Sequence, residues 1–255
     1  MSLMLHCGSH YVSADDLRNR VDETPSETET WKPISHHGFL EQVKAGLDRK
    51  NFTVTEEAHG LTTQGAQYFG LMALQGEGLN EHDQEYEIVL GLRNSHDKKF
   101  SANVGLGSKV FVCDNLSFIA DFQIGRRHTS KLFADLPGRI DSVIGQAIAC
   151  RQIQDQRIDF LKSTNFDTLL GDQTDRYVHD IAIKALDEKI VTGSSIPRVL
   201  NQWRKPRHNE FQPRTGWSLF NSFTEVTKRQ HAGNSMVTTR KLHTLLYDFC
   251  QSISA

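Results

Sequence analysis

Two histidines, a carboxylate and a thiol lie close enough in the sequence to form a catalytic or metal site. They are His96, Asp97, Cys113 and His128. Imidazole, thiolate and carboxylate groups bind zinc, and a thiol beside a histidine can act as a nucleophile. A metal-dependent or His/Cys-dependent hydrolase, such as a nuclease, is therefore one hypothesis. The spacing gives it little support, because zinc ligands usually occur in tight pairs and a thiol after Val-Phe-Val is ordinarily buried and inert. We predict no metal and no cofactor, and we favour a protein that is not an enzyme.

Short polar side chains in the same stretch have a simpler explanation. Asn94, Ser95, Asp97 and Asn115 follow apolar runs that are typical of strands. Such side chains commonly bond to backbone groups where a hairpin turns. A purely structural role for them therefore stays open.

The segment from residue 93 to residue 131 is basic. It contains seven Lys/Arg and three Asp, with phenylalanines at positions 100, 111 and 118. Cations pair with phosphates and aromatic rings stack on bases, which together can bind a single nucleic-acid strand. For any one phenylalanine, however, a place in the core is the more common outcome. The predicted nucleic-acid contacts are Arg93, Lys98, Lys99, Arg126, Arg127 and His128.

Charge is distributed unevenly along the chain, whose formal net charge is −2. From residue 201 onward, eight Lys/Arg stand against three Asp/Glu, which gives +5 and leaves −7 for the first 200 residues. A basic end is compatible with a phosphate-bearing partner, although a solvated helix surface looks the same. No glycine-rich phosphate loop and no HExxH or GxSxG motif is present.

The periodicity of the apolar residues predicts strands first and helices afterwards. Residues 50–125 contain short β-branched and aromatic runs bounded by turns, and helical spacing dominates from residue 130 onward. This order predicts an α+β fold with one antiparallel sheet, followed by a mostly helical C-terminal half. We predict an N-terminal segment with a loop (1–35), a sheet domain (36–130) and a helical region packed on or beside the sheet (131–255).

Composition excludes several classes of protein. An apolar fraction of 38% is enough for a core. No apolar run reaches the roughly 18 residues of a membrane helix, and no secretion signal is evident. The four cysteines lack CxxC spacing, which indicates free thiols in a reducing cytoplasm.

Three further blocks stand out in the sequence, namely Asn94-Ser-His-Asp97, Val112-Cys-Asp-Asn115 and the stretch from Trp217 to Glu225. Together they resemble a phage/plasmid-related family known as a domain of unknown function, number 932 in its series. Lys98 and Lys99 replace the Gly-Ser that many members have. The resemblance implies a mobile-element context without an established activity. The positions shared with the family are Asn94, Ser95, His96, Asp97, Cys113, Asp114, Asn115, Trp217, Asn221, Thr224 and Glu225.

These observations lead to one main hypothesis. The chain is a cytoplasmic nucleic-acid-binding protein of phage or plasmid type that binds or anneals single-stranded DNA in replication or recombination. Self-association into a homo-oligomer is compatible with this role, and no membrane partner is expected. The alternatives are the hydrolase and a mobile-element protein that acts on a host system.

Overall fold

The computed structural model of the protein describes residues 9–62, 64–79, 86–110, 116–227 and 232–254. Five of the residues named above, Phe111, Val112, Cys113, Asp114 and Asn115, lie outside these ranges. The second family block and the thiol of the hydrolase hypothesis therefore have no structural account.

A single antiparallel sheet forms the first half of the fold. Its six strands are hydrogen-bonded to their neighbours in chain order. They are β1 (His10–Val12), β2 (Thr53–Leu61), β3 (Gln67–Gln75), β4 (Tyr86–Ser95), β5 (Ala102–Val110) and β6 (Leu116–Arg126). The predicted sheet at residues 50–125 is confirmed, with β1 added at one edge from the N-terminal segment.

Helices make up most of the rest of the described chain, which confirms the α+β class. Two of them precede β2: α1 (Ala14–Asn19) and α2 (His36–Arg49). The others follow the sheet: α3 (Leu132–Ile144), α4 (Ala147–Ser163), α5 (Phe166–Leu170), α6 (Thr174–Asp187), α7 (Ile196–Arg204), α8 (Gly216–Thr227) and α9 (Ala232–Ser254). The domain boundaries at residues 35 and 130 stay a prediction.

One face of the sheet, here called the core face, packs against helices. Side chains alternate along a strand, so Leu90, Leu92 and Asn94 of β4 point to the same side. Leu90 and Leu92 belong to one buried cluster with Phe39 and Val43 of α2. Arg93 lies between Leu92 and Asn94 and therefore faces the other side of the sheet. The alternation thus decides which polar residues near the end of β4 can meet.

No helix in the described ranges is long and apolar enough to cross a membrane.

Close packing between α2 and α3 depends on a glycine and leads to a stability prediction. A Cβ at Gly46 would lie 2.7 Å from Ile140 Cγ2 and 3.0 Å from Ile144 Cδ1, whereas a Cβ at Gly138 of α3 would meet nothing within 4 Å. We expect Gly46→Ala to lower the free energy of unfolding by about 1 kcal/mol, because overpacking outweighs the gain in helix propensity. The control Gly138→Ala is expected to raise it by about 1 kcal/mol. Urea denaturation measures both, and equal stabilisation by the two alanines would contradict this packing.

Candidate functional site

Three connections meet at one end of the sheet, here called the loop end. Gln67 at the start of β3 pairs with Ser95 at the end of β4, and Ala102 at the start of β5 pairs with Arg126 at the end of β6. The β2–β3 turn, the β4–β5 loop (residues 96–101) and the connection after β6 (residues 127–131) therefore lie together. The strand register brings most of the residues predicted to form a site to this end.

Residues 24–35 form an irregular segment, here called the strap, that crosses the loop end before α2 begins. The Lys32 N–H donates to the His128 carbonyl at 2.9 Å. The Ile34 N–H donates to His128 Nδ1 at 3.3 Å. The Ile34 carbonyl accepts from Asn94 Nδ2 at 3.0 Å and from His96 Nε2 at 2.9 Å. The backbone of Ile34 is thus bound from both sides by side chains of the sheet end.

His36, the first residue of α2, completes this arrangement. Its Nε2 donates to the Gly65 carbonyl at 2.9 Å, and its Nδ1 accepts from Asn94 Nδ2 at 3.0 Å. The His36 and His96 rings stack with centroids 3.9 Å apart and planes 8° from parallel. Both protons of the Asn94 amide are therefore used, one on Ile34 and one on His36, and a neutral imidazole at position 36 satisfies these contacts.

Burial keeps these histidines uncharged. It lowers the pKa of His36 to about 3, and repulsion from His96 acts in the same direction. It lowers the pKa of His128 to about 4, again with a contribution from His96. Burial likewise lowers the pKa of His96. The cluster is therefore neutral at pH 7 and adds no positive charge to the loop end.

The geometry gives the hydrolase hypothesis no further support. His96 Nε2 and His128 Nδ1 are both bonded to the peptide groups of Ile34. Within the described residues, no group of three or more His, Cys, Asp or Glu side chains is placed to bind a metal ion. Two of the proposed catalytic nitrogens are therefore committed to the backbone.

Asp97 acts as a hydrogen-bond acceptor for its own loop. It accepts from Gln67 Nε2 at 2.6 Å, from the Lys99 N–H at 3.2 Å and from the Ser95 hydroxyl. Partial burial raises its pKa, but the hydrogen bonds from Ser95 and Gln67 outweigh this and bring the pKa to about 2. These contacts match the structural role that short polar residues have at turns.

Three of the six residues predicted to contact nucleic acid are exposed cations on the loops. Lys98 adopts φ +64°, in the left-handed region that favours glycine, and its Nζ lies 4.6 Å from the centroid of the Trp31 ring. Lys99 Nζ lies 3.2 Å from Asp97 Oδ2, with 71% of the lysine side chain exposed. Arg127 is exposed directly after β6. A glycine, which the family resemblance places at position 98, would adopt this backbone conformation without strain.

The other three predicted contacts lie elsewhere or are engaged. The Arg93 guanidinium lies 5.2 Å from the Phe100 ring centroid, on the face opposite the core face. Arg126 Nη2 lies 2.5 Å from Asp135 Oδ2. His128 is 5% exposed. Phe100 also packs against Phe69, with centroids 5.7 Å apart, so its ring is already in contact with Phe69 and Arg93.

A buried polar chain next to the site is invisible in the sequence. His59 Nδ1 lies 2.9 Å from Tyr68 Oη, and His59 Nε2 lies 3.5 Å from Glu57 Oε2. A carboxylate, an imidazole and a phenol in line can activate a nucleophile. Tyr68 is completely buried, however, and burial raises its pKa. The chain is therefore a core support, and only the β2–β3 register could have identified it.

The late family block forms a core helix. Every residue of α8 from Gly216 to Thr224 is buried. Trp217 stacks on Phe220 with centroids 5.4 Å apart, and Asn221 Nδ2 donates to the Trp217 carbonyl at 2.9 Å. Thr224 Oγ1 donates to the Phe220 carbonyl at 3.2 Å, and Glu225 Oε1 lies 3.4 Å from Arg207 Nη1. These contacts give the block a packing role, away from the loop end.

The neutral histidines lead to a prediction about pH. Unfolded His128 has an ordinary pKa near 6.5, so the unfolded chain binds more protons between about pH 6.5 and pH 4. The contribution of each such histidine to the free energy of unfolding is fully present above pH 6.5. It falls as the pH drops, by up to about 1.4 kcal/mol per pH unit. We expect His128→Asn, whose amide oxygen can still accept from Ile34, to reduce this slope by up to that amount. Urea denaturation from pH 7.5 to pH 4.5 measures it.

The control for this variant is His10→Asn, which changes an exposed histidine of β1. Its pH dependence should match that of the wild-type protein. If the slope of His128→Asn also matched the wild type, His128 would not be held neutral by the fold.

The comparisons with known proteins give a family and no activity. No curated protein and no solved structure matches the chain. A family model matches residues 25–246, and it is described as a domain of unknown function, DUF932. The match covers the strap, the sheet and most of the helical half, so the chain belongs to the DUF932 family.

Proposed function

We propose that this protein binds single-stranded nucleic acid at the loop end of the sheet. One observation supports this most directly, namely that Trp31 lies between the two loops that carry exposed cations. Its ring is 4.6 Å from Lys98 Nζ and 6.2 Å from the His128 ring centroid. Lys98 and Lys99 lie on one of these loops, and Arg127 precedes His128 on the other.

The positive charge of this surface comes from lysine and arginine alone, and the Asp97 carboxylate beside Lys99 offsets part of it. Since burial lowers the pKa of His36, His96 and His128, their imidazoles are neutral at pH 7. Lys98, Lys99 and Arg127 are the exposed cations of the predicted set. Three phosphate contacts correspond to a slope of log K against log salt of about −2 for a single strand.

The shape of the surface favours a flexible strand over a duplex. Reading a DNA groove usually requires a helix or a two-stranded ribbon that enters the groove. The cations here lie on two loops at a sheet end, beside an irregular strap. A single strand can bend to follow such loops, and this mode of binding depends on charge and stacking more than on sequence.

The biological process and the assembly state are part of the same proposal. A phage or plasmid protein that binds single strands would act in replication or recombination, and a homo-oligomer would multiply its weak contacts along a strand. Free thiols are ordinary in a reducing cytoplasm, and the free cysteines Cys150 and Cys250 are buried. The hydrolase is not proposed, because its histidines bind the strap.

A charge-reversal experiment tests the proposal. We expect the triple variant Lys98→Glu, Lys99→Glu and Arg127→Glu to bind a 30-nucleotide single strand roughly 100-fold more weakly at 0.1 M salt, because three phosphate contacts are lost. The slope against log salt should become less negative by about 2. Fluorescence anisotropy over a salt series measures both quantities.

A matched control reverses three exposed cations elsewhere, Lys50, Arg176 and Lys184. This control changes the net charge by the same amount and should bind close to the wild-type level. Equal losses of affinity in the two variants would show that binding depends on the net charge of the protein and not on a site at the loop end. Absence of binding by the wild-type protein would overturn the proposal.

A further inference from the structure

Trp31 differs from the other tryptophans of the chain in its surroundings. Trp203 and Trp217 are 4% and 6% exposed and belong to the buried core of the helical half. Trp31 is partly exposed on the strap and is not part of that core. A large aromatic ring that is partly exposed beside cationic side chains is well placed to bind a ligand.

The backbone of Trp31 is positioned without help from its ring. Its N–H donates to Thr28 Oγ1 at 3.1 Å, and its carbonyl accepts from the Thr28 N–H at 2.8 Å. The next residue, Lys32, donates its N–H to the His128 carbonyl. The strap therefore presents the indole at a defined place, while main-chain and histidine contacts hold the strap itself.

The present contacts of the indole can be replaced by contacts with a ligand. The ring is approached by the Lys98 ammonium at 4.6 Å, and the neutral His128 ring lies 6.2 Å away at a tilt of 42°. Lys98 is exposed and has a backbone conformation that is unfavourable for a side-chain-bearing residue. A cation–π contact at an exposed site is weaker than the stack of a base on an aromatic ring. A base can therefore displace the ammonium at a net gain.

We infer that Trp31 is a stacking platform for an unpaired base, and that Lys98 moves from the ring to a neighbouring phosphate when the base binds. This inference rests on the proposed function and identifies the ligand as single-stranded DNA or RNA. Bases inside a duplex are already stacked on one another, so their faces are not available to the indole. Trp31 thereby selects single strands, while the cations supply affinity for any phosphate chain.

Two variants test this inference. Trp31→Leu keeps an apolar side chain but removes the aromatic face, and Trp31→Phe keeps a smaller face. We expect Trp31→Leu to bind oligothymidylate about tenfold more weakly, with no loss of affinity for an abasic strand of equal length and with an unchanged salt slope for oligothymidylate. Trp31→Phe should recover most of the lost affinity.

Fluorescence gives a second readout, because the other two tryptophans are buried. Oligothymidylate should quench the wild-type emission, whereas the abasic strand and a duplex should quench it little. Oligouridylate, used in parallel, distinguishes RNA from DNA as the preferred strand, and quenching by either one supports the platform. In Trp31→Leu, neither strand should change the remaining emission.

The outcomes separate this inference from the proposed function. If Trp31→Leu binds oligothymidylate as tightly as the wild type, the platform is wrong, while the charge-based function stands. If Trp31→Leu loses equal affinity for the abasic strand, Trp31 only shapes the loops and the platform is again wrong. If the wild-type protein binds none of the strands, both proposals fall.

Discussion

The arrangement of the loop end depends on the hydrogen bonds that the Ile34 backbone makes with side chains of the sheet end. The strap has no regular secondary structure, so its buried peptide groups must find partners outside a helix or a sheet. His128 accepts from the Ile34 N–H, while Asn94 and His96 donate to its carbonyl. These bonds fix where α2 begins and where Trp31 stands. An unpaired peptide group at this depth would cost on the order of 1–3 kcal/mol, so the three side chains act as structural partners of the strap.

This constraint also decides the electrostatics. An imidazole that accepts from a peptide N–H, or that is stacked in a buried pair, is most stable when it is neutral. Burial lowers the pKa of His36 and His128 to about 3 and about 4. The histidines, which look in the sequence like catalytic groups or extra positive charge, instead form a neutral layer beneath the surface. The exposed positive charge of the loops comes from Lys98, Lys99, Arg127 and Lys131, with the Asp97 carboxylate beside Lys99.

Membership of the DUF932 family does not by itself assign chemistry to the shared positions. The first block is explained by the contacts of the strap and by the turn around Asp97. The late block is explained by α8, whose polar side chains bond to the carbonyls of the preceding turn. Both blocks are therefore accounted for by folding. The proposed binding surface lies beside the first block, on side chains such as Trp31 and Lys98 that project from the same framework.

The sequence by itself determined the class of fold and the position of the sheet, because strand and helix periods are local properties of the chain. It also located the basic loops between residues 93 and 131. Only the tertiary structure decided which residues meet. Adjacent residues Arg93 and Asn94 face opposite sides of β4 because side chains alternate. Asn94 and Ile34 are 60 residues apart in the chain, so their bond depends on strand register and on the docking of the strap. For the same reason, no local pattern could identify His36 and Trp31 as part of the site.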